Sequence, residues 1–381
     1  MKRIALAVIL ISAISYANAQ NGNNICVFNA MSNYNTGGGH DELERGIKCS
    51  DEAAVNEATM GDKKTWFYRG ELYTLVFIDT VLNKKYGSAA FEAVKAFKKL
   101  YDMNDPKFKD WEDVYKYLYP LGTDLFNSGV DQYQAHNYAQ AYQYFISIKE
   151  VNAILRGKNK SVTIQDSAYL KNAAIMAENA NMSKEAIDVY KEWLSNSPSA
   201  YAYRNYAIAL RKAGQTDESK KIVNEGIAKY PKDANLLVEK INGFLEAQQF
   251  TEALTFVNSL LEVEPNNDGA LFIKGLAFEK IGNEDSVIYY YKKSSDINPK
   301  NIKPLNNLGA WYVNKANALA EQMNKLGNSP DEVKKYNEMQ KQRKALYVLA
   351  KPYLEKANAI DPKDEQIKRT LKQIELYTTG E

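Results

Sequence analysis

The sequence predicts an all-α protein, an α-solenoid built from paired helices. The first observation is the spacing of 33 or 34 residues between four successive prolines, Pro198, Pro231, Pro265 and Pro299. The second is that residues between these prolines repeat in type: bulky, small and bulky apolar side chains follow one another at helical spacing. Proline ends the second helix of each unit because it lacks an N–H and clashes with the preceding turn. A period of about 34 residues is typical of helical hairpins that stack on their neighbours.

The repeating positions form columns when the units are aligned on their prolines. The first helix gives a bulky column, Leu170, Tyr203, Leu237, Leu271 and Leu305. It also gives a mostly small column, Ala174, Ala207, Ile241, Gly275 and Gly309, and a third, Ala177, Leu210, Phe244, Phe278 and Tyr312. The second helix gives Ala186, Ser219, Ala253 and Val287, then Tyr190, Val223, Val257 and Tyr291. These columns resemble the tetratricopeptide repeat (TPR), whose order is Trp, Leu, Gly, Tyr, Ala, Phe, Ala, Pro. The resemblance implies a right-handed α-solenoid of TPR-like helical hairpins.

The resemblance weakens towards the N-terminus. Within residues 20–160 the TPR positions are matched only in part, by Trp66, Gly70 and Tyr73 and then by Gly129, Ala141 and Phe145. We predict degenerate TPR-like repeats over 20–160, with an additional helix near Trp111 that stops at Pro120, and regular repeats over 161–301.

The last repeat is expanded. It opens at Leu305 and closes at Pro362, which follows Pro299 by 63 residues instead of 34. The extra segment, Val313 to Leu349, is rich in strong helix formers. Gly327, Ser329 and Pro330 stand between two helical runs as a stop, a cap and a first-turn residue. We therefore predict that residues 302–362 form one repeat with a long inserted helical hairpin, and that residues 363–381 form a capping helix.

The N-terminus has the pattern of a secretory signal peptide. Lys2 and Arg3 precede an apolar run from Ile4 to Ile14, and Ala17-Asn18-Ala19 provides a cleavage site. The alternatives are a buried N-terminal helix or a membrane anchor, but the run is shorter than the ~20 residues that span a bilayer. We predict a signal peptide at 1–19, export to the periplasm or cell envelope, no membrane span and no lipid anchor.

Two cysteines, Cys26 and Cys49, follow the predicted cleavage site. Pairing is plausible in an exported chain, and the two residues fall at neighbouring ends of a predicted helical hairpin. A disulfide between them is expected, and two buried free thiols are the alternative.

Little in the sequence points to chemistry. The chain has two histidines, His40 and His136, and neither has a partner set for a metal site or a nucleophile. The formal charge of +2 falls to about zero without Lys2 and Arg3, which argues against nucleic acid as a partner. We predict no catalytic, metal or cofactor-binding residues and no enzyme activity. A glycan-hydrolysing helical toroid is the enzyme alternative, but the aromatic residues fall in packing columns.

The TPR resemblance also implies where a partner binds. In that family the first helices of successive repeats line a concave groove that binds peptides or partner helices. The corresponding positions, called here the predicted groove residues, are Tyr201, Arg204, Ile208, Arg211, Asn235, Val238, Asn242, Leu245, Phe272, Leu276, Lys303 and Asn306. The chain resembles the envelope TPR proteins of Gram-negative bacteria, which implies a scaffold that binds a protein or peptide partner in a cell-envelope complex. The alternative function is a glycan- or small-ligand-binding solenoid.

Overall fold

The computed structural model describes residues 22–379, which are helical with no strand in that range. The predicted signal peptide, 1–19, lies outside the described residues. The chain divides into two compact units, Met1–Gln215 and Thr216–Glu381. Unit 1 contains α1 (22–35), α2 (His40–Val55), α3 (Lys63–Ile78), α4 (Leu82–Lys85), α5 (Ala89–Asp102), α6 (Trp111–Gln134), α7 (Tyr138–Gly157), α8 (Asp166–Asn179), α9 (Ser183–Asn196) and α10 (Ala200–Lys212). Unit 2 contains α11 (Thr216–Lys229), α12 (Ala234–Glu246), α13 (Phe250–Val263), α14 (Asp268–Ile281), α15 (Glu284–Ile297), α16 (Ile302–Met323), α17 (Pro330–Ile360) and α18 (Glu365–Thr378).

First helices of the regular repeats begin at a column of capping residues. Ser199, Asp233, Asn267 and Asn301 each accept a hydrogen bond from a backbone N–H in the first turn of the helix that follows. A side-chain oxygen at this position satisfies a donor that has no partner within the helix. The caps follow one another at the repeat spacing, so each repeat carries its own start signal after the proline that ends the previous one.

Glycines of the small column allow the two helices of a hairpin to touch. A Cβ placed on Gly275 would lie 2.7 Å from Tyr291 Cδ1, closer than real Cβ atoms come to a neighbour. The same close approach occurs between Gly129 and Phe145, where the distance would be 2.8 Å. It also occurs in the degenerate part of the chain, where a Cβ on Gly70 would lie 2.5 Å from Phe97 Cε1. The irregular N-terminal helix pairs are therefore held by the same packing as the regular ones.

Unit 1 consists of helices that pack on their neighbours along the chain. α3 packs on α2 and α5, α6 on α7, α7 on α8, and α9 on α8 and α10. Arg69 on α3 connects three helices, because its guanidinium lies 2.7 Å from Asp51 Oδ1 on α2 and 2.7 Å from Glu92 Oε2 on α5. A disulfide joins Cys26 on α1 to Cys49 on α2, with a Cα–Cα distance of 6.2 Å.

One predicted helix end is wrong. Pro120 was expected to stop a helix, but it lies inside α6, which runs from Trp111 to Gln134. The buried residues of α6, among them Leu118 and Leu121, continue on one face on both sides of the proline. Pro120 itself is exposed, so the carbonyl that loses its helical donor can bind water. Packing of the buried face therefore overrides the local signal.

Unit 2 contains the predicted hairpin. α16 and α17 have 22 and 31 residues, against 14 in each of α14 and α15, so the last pair projects beyond its neighbours. Ser329 caps α17 in a capping box with Glu332, and Pro330 is its first residue, as the sequence predicts. α16 ends at Met323, before Gly327, which was expected to end it. The segment predicted as a capping helix contains α18, which begins after the cap Asp364.

Candidate partner-binding surface

The predicted groove residues of unit 1 lie on α10. Tyr201 is exposed, and its ring centroid lies 5.7 Å from that of Trp193 and 5.0 Å from Lys171 Nζ. Arg204 and Ile208 are half-buried on the same helix. The Tyr201 ring thus contacts an indole and an ammonium group, and part of it stays exposed to solvent.

The apolar groove residues of unit 2 serve the core as well as the surface. Val238 and Leu245 pack against the buried cluster formed by α12, α13 and α14. Phe272 and Leu276 pack against the cluster formed by the last repeat, and the Phe272 ring stacks on Tyr291 at a centroid distance of 5.7 Å. Phe272 is therefore not a free anchor, because removing its ring would also remove core packing.

The polar groove residues of unit 2 have no such role. Asn235 and Lys303 are exposed, and Asn242 and Asn306 are half-buried. Within residues 22–379 none of these four side chains makes a hydrogen bond or ion pair to another protein group. An asparagine side chain has one acceptor and two donor hydrogens, which matches the N–H and C=O groups of an extended peptide. These amides are thus available to a ligand.

A carboxylate that the sequence reading passed over also lies on this helix face. Glu279 stands in the same repeat column as Arg211 and Leu245, and the Tyr291 hydroxyl donates to its Oε2 at 2.7 Å. Burial is the main cause that raises the pKa of Tyr291 above its ordinary range. The corresponding pair in unit 1 is Tyr190 and Glu178, at 3.4 Å. The shared separation of 12 residues between glutamate and tyrosine is a signal that could have identified both carboxylates.

Aromatic rings elsewhere in unit 2 stack in pairs that are covered by lysines. The rings of Phe244 and Phe256 lie 5.5 Å apart, and Lys240 Nζ lies 4.7 Å from the Phe244 centroid. The next repeat places Phe278 5.6 Å from Tyr290, with Lys274 Nζ 4.5 Å from the tyrosine ring. These rings join the two helices of each hairpin, so their faces are engaged within the protein.

The two histidines lie apart. His40 Nδ1 is 2.9 Å from Asp79 Oδ2, and His136 Nδ1 is 2.9 Å from the Tyr138 hydroxyl. In the described part of the chain no three His, Cys, Asp or Glu side chains come together in a way that could hold a metal ion. No helix within residues 22–379 combines the length and apolar character needed to cross a membrane.

Comparison with known proteins adds a partial family match. Residues 128–241 match the model of a family described as the C-terminal part of a virulence factor membrane-bound polymerase. This stretch runs from the end of α6 into α12 and covers less than a third of the chain. No curated protein matches the sequence.

Several solved structures align with parts of the chain. MamA from Desulfovibrio magneticus RS-1 aligns at a TM-score of 0.37 and 19% identity, over 48% of this chain and 96% of that one. YrrB, described as a TPR protein with an unusual peptide-binding site, aligns at 0.37 and 14% identity, over 48% of this chain and 88% of its own. The Cut9–Hcn1 hetero-tetramer of the APC/C aligns at 0.40 and 13% identity, over 88% of this chain and 59% of the other. At these scores the alignments carry no argument about binding. The fold is of the TPR type. That assignment depends on the 34-residue columns, the repeated caps and the glycine contacts within the hairpins.

Proposed function

We propose that this TPR-type protein is an exported scaffold that holds an extended segment of a partner protein along the first helices of the repeats in unit 2. The observation that carries the proposal is the set of polar side chains on α12 and α16 without a protein partner in the described residues, Asn242 and Asn306 above all. Leu245 follows Asn242 by about one turn of α12, and Phe272 stands in the same repeat column as Asn306; both apolar side chains are half-buried and already fixed by the core. Fixed apolar surface next to free amides suits a peptide backbone, because little side-chain entropy is lost on binding.

Two features support an exported location for this scaffold. The first is the signal-peptide pattern in residues 1–19. The second is the Cys26–Cys49 disulfide, which is a bond of oxidising compartments such as the periplasm. The partial match to part of a membrane-bound polymerase is compatible with an envelope setting. We therefore infer a role in assembling or maintaining a cell-envelope complex.

Site-specific photocrosslinking tests the proposal. A crosslinking amino acid replaces Asn242 or Asn306 in the tagged protein expressed in its own host, and crosslinked peptides are identified by mass spectrometry. The matched controls are Asn196 and Asn258, two exposed asparagines on the second helices α9 and α13. We expect one defined partner segment at both groove positions and none at the controls. Equal crosslinking at all four positions, or none at the groove, would contradict the proposal.

The double variant Asn242→Ala with Asn306→Ala then measures the contribution of the two amides to affinity. Loss of two hydrogen bonds to a partner should weaken capture by about tenfold or more, at ~1 kcal/mol each. The melting temperature should stay unchanged, since neither side chain bonds to another protein group in residues 22–379. The control double variant Asn196→Ala with Asn258→Ala should leave capture unchanged. Binding of an insoluble glycan without a protein partner would favour the glycan-binding alternative.

A further inference from the structure

The two broad faces of the α16–α17 hairpin differ in what covers them. On one face α18 packs on α17, where the rings of Tyr347 and Tyr377 stack at a centroid distance of 5.3 Å. Arg343 lies over the Tyr377 ring at 4.1 Å, and the Tyr347 hydroxyl donates to Asn317 Oδ1 at 2.9 Å. These contacts cover this part of α17 on that face.

The other part of the hairpin surface carries a groove. Its volume is about 480 Å³, and it is lined by both helices through Ala318 and Leu319 on α16 and Ala345, Leu346 and Leu349 on α17. Lys315 lines one end and forms an ion pair with Glu284 in the first turn of α15. The groove therefore begins where the shorter preceding repeat meets the hairpin.

The size and lining of the groove fit a helix. The lining residues span Lys315 to Gln322 and Gln342 to Leu349, and seven residue steps of helix cover about 10 Å, or two turns. Two antiparallel helices leave a furrow into which a third can pack at 8–10 Å, and the small side chains of Ala318 and Ala345 permit the closer end of that range. Leu349 is 48% exposed in a groove of leucine and alanine, which leaves apolar area for an occupant to bury.

The positive charge of the hairpin indicates which kind of partner can bind in the groove. Residues 313–349 contain seven lysines and arginines and four acidic residues, a net charge of +3. Of these, Lys334, Lys335, Lys341 and Lys344 on α17 form no ion pair within residues 22–379. A second copy would bring the same positive charge against this surface, which opposes association, whereas an acidic partner would be attracted to it.

We propose that this groove, the hairpin groove, binds an acidic amphipathic helix of a partner protein. Apolar residues at i, i+3, i+4 and i+7 of that helix would bury against Leu319, Leu346 and Leu349, and flanking glutamates or aspartates would face the lysines of α17. This surface is separate from the polar first-helix residues of the proposed function, and the hairpin groove is tested independently of them.

The test uses two neighbouring residues of α17. Leu349 lines the groove, whereas Val348, 55% exposed, does not. Leu349→Lys and Val348→Lys each replace an exposed aliphatic side chain with the same charge, so they differ only in the groove. The probe is a fluorescent synthetic peptide of about 20 residues, helical, with leucines at i, i+3, i+4 and i+7 and glutamates on its other face. A second peptide carries lysine at every glutamate.

Fluorescence anisotropy with the purified protein is expected to show binding of the acidic peptide and at least tenfold weaker binding of the basic one. Leu349→Lys should weaken binding of the acidic peptide at least tenfold, and Val348→Lys should change it less than twofold. Equal effects of the two variants, or no binding of the acidic peptide, would overturn the proposal. Sedimentation velocity provides the remaining outcome: self-association that Leu349→Lys abolishes and Val348→Lys preserves would assign the groove to a second copy and overturn the acidic helix.

Discussion

Gly309 on α16 lies directly against Leu354 on α17: a Cβ on the glycine would come within 2.5 Å of Leu354 Cγ. The contact joins the first and second helices of the expanded repeat below its projecting part. Leu354 is 1% exposed, within the cluster of buried residues that also contains Tyr312 and Ala316. The leucine has no open space into which it could move.

Gly309→Ala should therefore destabilise unit 2. Overpacking a filled core commonly costs about 1–3 kcal/mol, which outweighs the better helix propensity of alanine. The matched control is Gly243→Ala on α12, where nothing lies within 4 Å of the added Cβ. That variant should gain up to about 1 kcal/mol from helix propensity. Urea denaturation of both proteins checks the opposite signs, and a stabilised Gly309→Ala would show that the helices separate at little cost.

The Cys26–Cys49 disulfide should stabilise the first hairpin. The two cysteines are 23 residues apart, and closing a loop of this size removes denatured-state entropy worth about 3 kcal/mol. We expect the protein to be resistant to alkylation before reduction, with intact mass as the measurement. Reductant should then lower the thermal midpoint. Two freely alkylated thiols in the unreduced, secreted protein would contradict the bond.

The carboxyl group of Glu71 on α3 should make stability depend on pH. The pKa of Glu71 is raised to about 7, chiefly by burial; a hydrogen bond with Tyr117 opposes the shift, and the negative charges of Asp113 and Asp110 add to it. A carboxyl with a raised folded-state pKa binds more protons in the native than in the unfolded state. The free energy of unfolding therefore falls as pH rises from the unfolded value of 4.5 through about 7.

Glu71→Gln should remove that dependence, because the amide keeps the shape of the acid and does not ionise. We expect the variant to gain stability relative to the wild type between about pH 5 and pH 8. Denaturant unfolding at both pH values, with the exposed Glu57→Gln as control, measures the difference. Parallel pH profiles for wild type and Glu71→Gln would show that the native carboxyl is well solvated.

Only the outer part of the projecting hairpin should be dispensable for folding. The inserted segment, Val313 to Leu349, contains Val313, Ala316 and Tyr347, which belong to the core of the last repeat. Replacing all of 313–349 by a short turn should therefore abolish cooperative unfolding of unit 2. Replacing only 323–341 should preserve it, because that cut keeps these three residues. Thermal unfolding of the two deletions distinguishes these expectations; loss of cooperativity in the shorter deletion would mean that the tip is core.

The helix pairs could be predicted from the sequence because the same local signals recur in each repeat. These are a proline after the second helix, a capping residue before the next first helix and, in most repeats, a small residue where the two helices touch. Pro265, Asn267 and Gly275, for example, mark one helix end, one cap and one small packing position. The predicted helix end at Pro120 is wrong because proline predicts a helix end from local sequence alone. A proline can stay within a helix where it is exposed, and its exposure depends on which face of α6 is buried. The contribution of Phe272 to the core could not be predicted for a related reason. A repeat column identifies the helix face, but only packing shows that the ring already stacks on Tyr291.

The hairpin groove could not be predicted for a third reason. α18 covers one side of α17, where the rings of Tyr347 and Tyr377 stack, and the groove is lined by other residues of α16 and α17. The pattern of apolar residues along α16 and α17 does not show which face of the hairpin α18 covers. The sequence shows the positive charge of residues 313–349, but it does not show that this charge lies beside the apolar side chains of the hairpin groove.

The disulfide between α1 and α2 should make α1 more resistant to proteases than α18. A stack of repeats opens from its termini, since a terminal repeat has a neighbour on one side only. At the N-terminal end, opening α1 leaves it tethered through Cys26, so it recloses rapidly. α18 has no covalent tie of this kind among the described residues: it is held by the packing of its buried residues Ile367 and Ile374 and by Arg343 over the Tyr377 ring. Proteases should therefore cleave the protein first at α18. Under reducing conditions they should also cleave at α1.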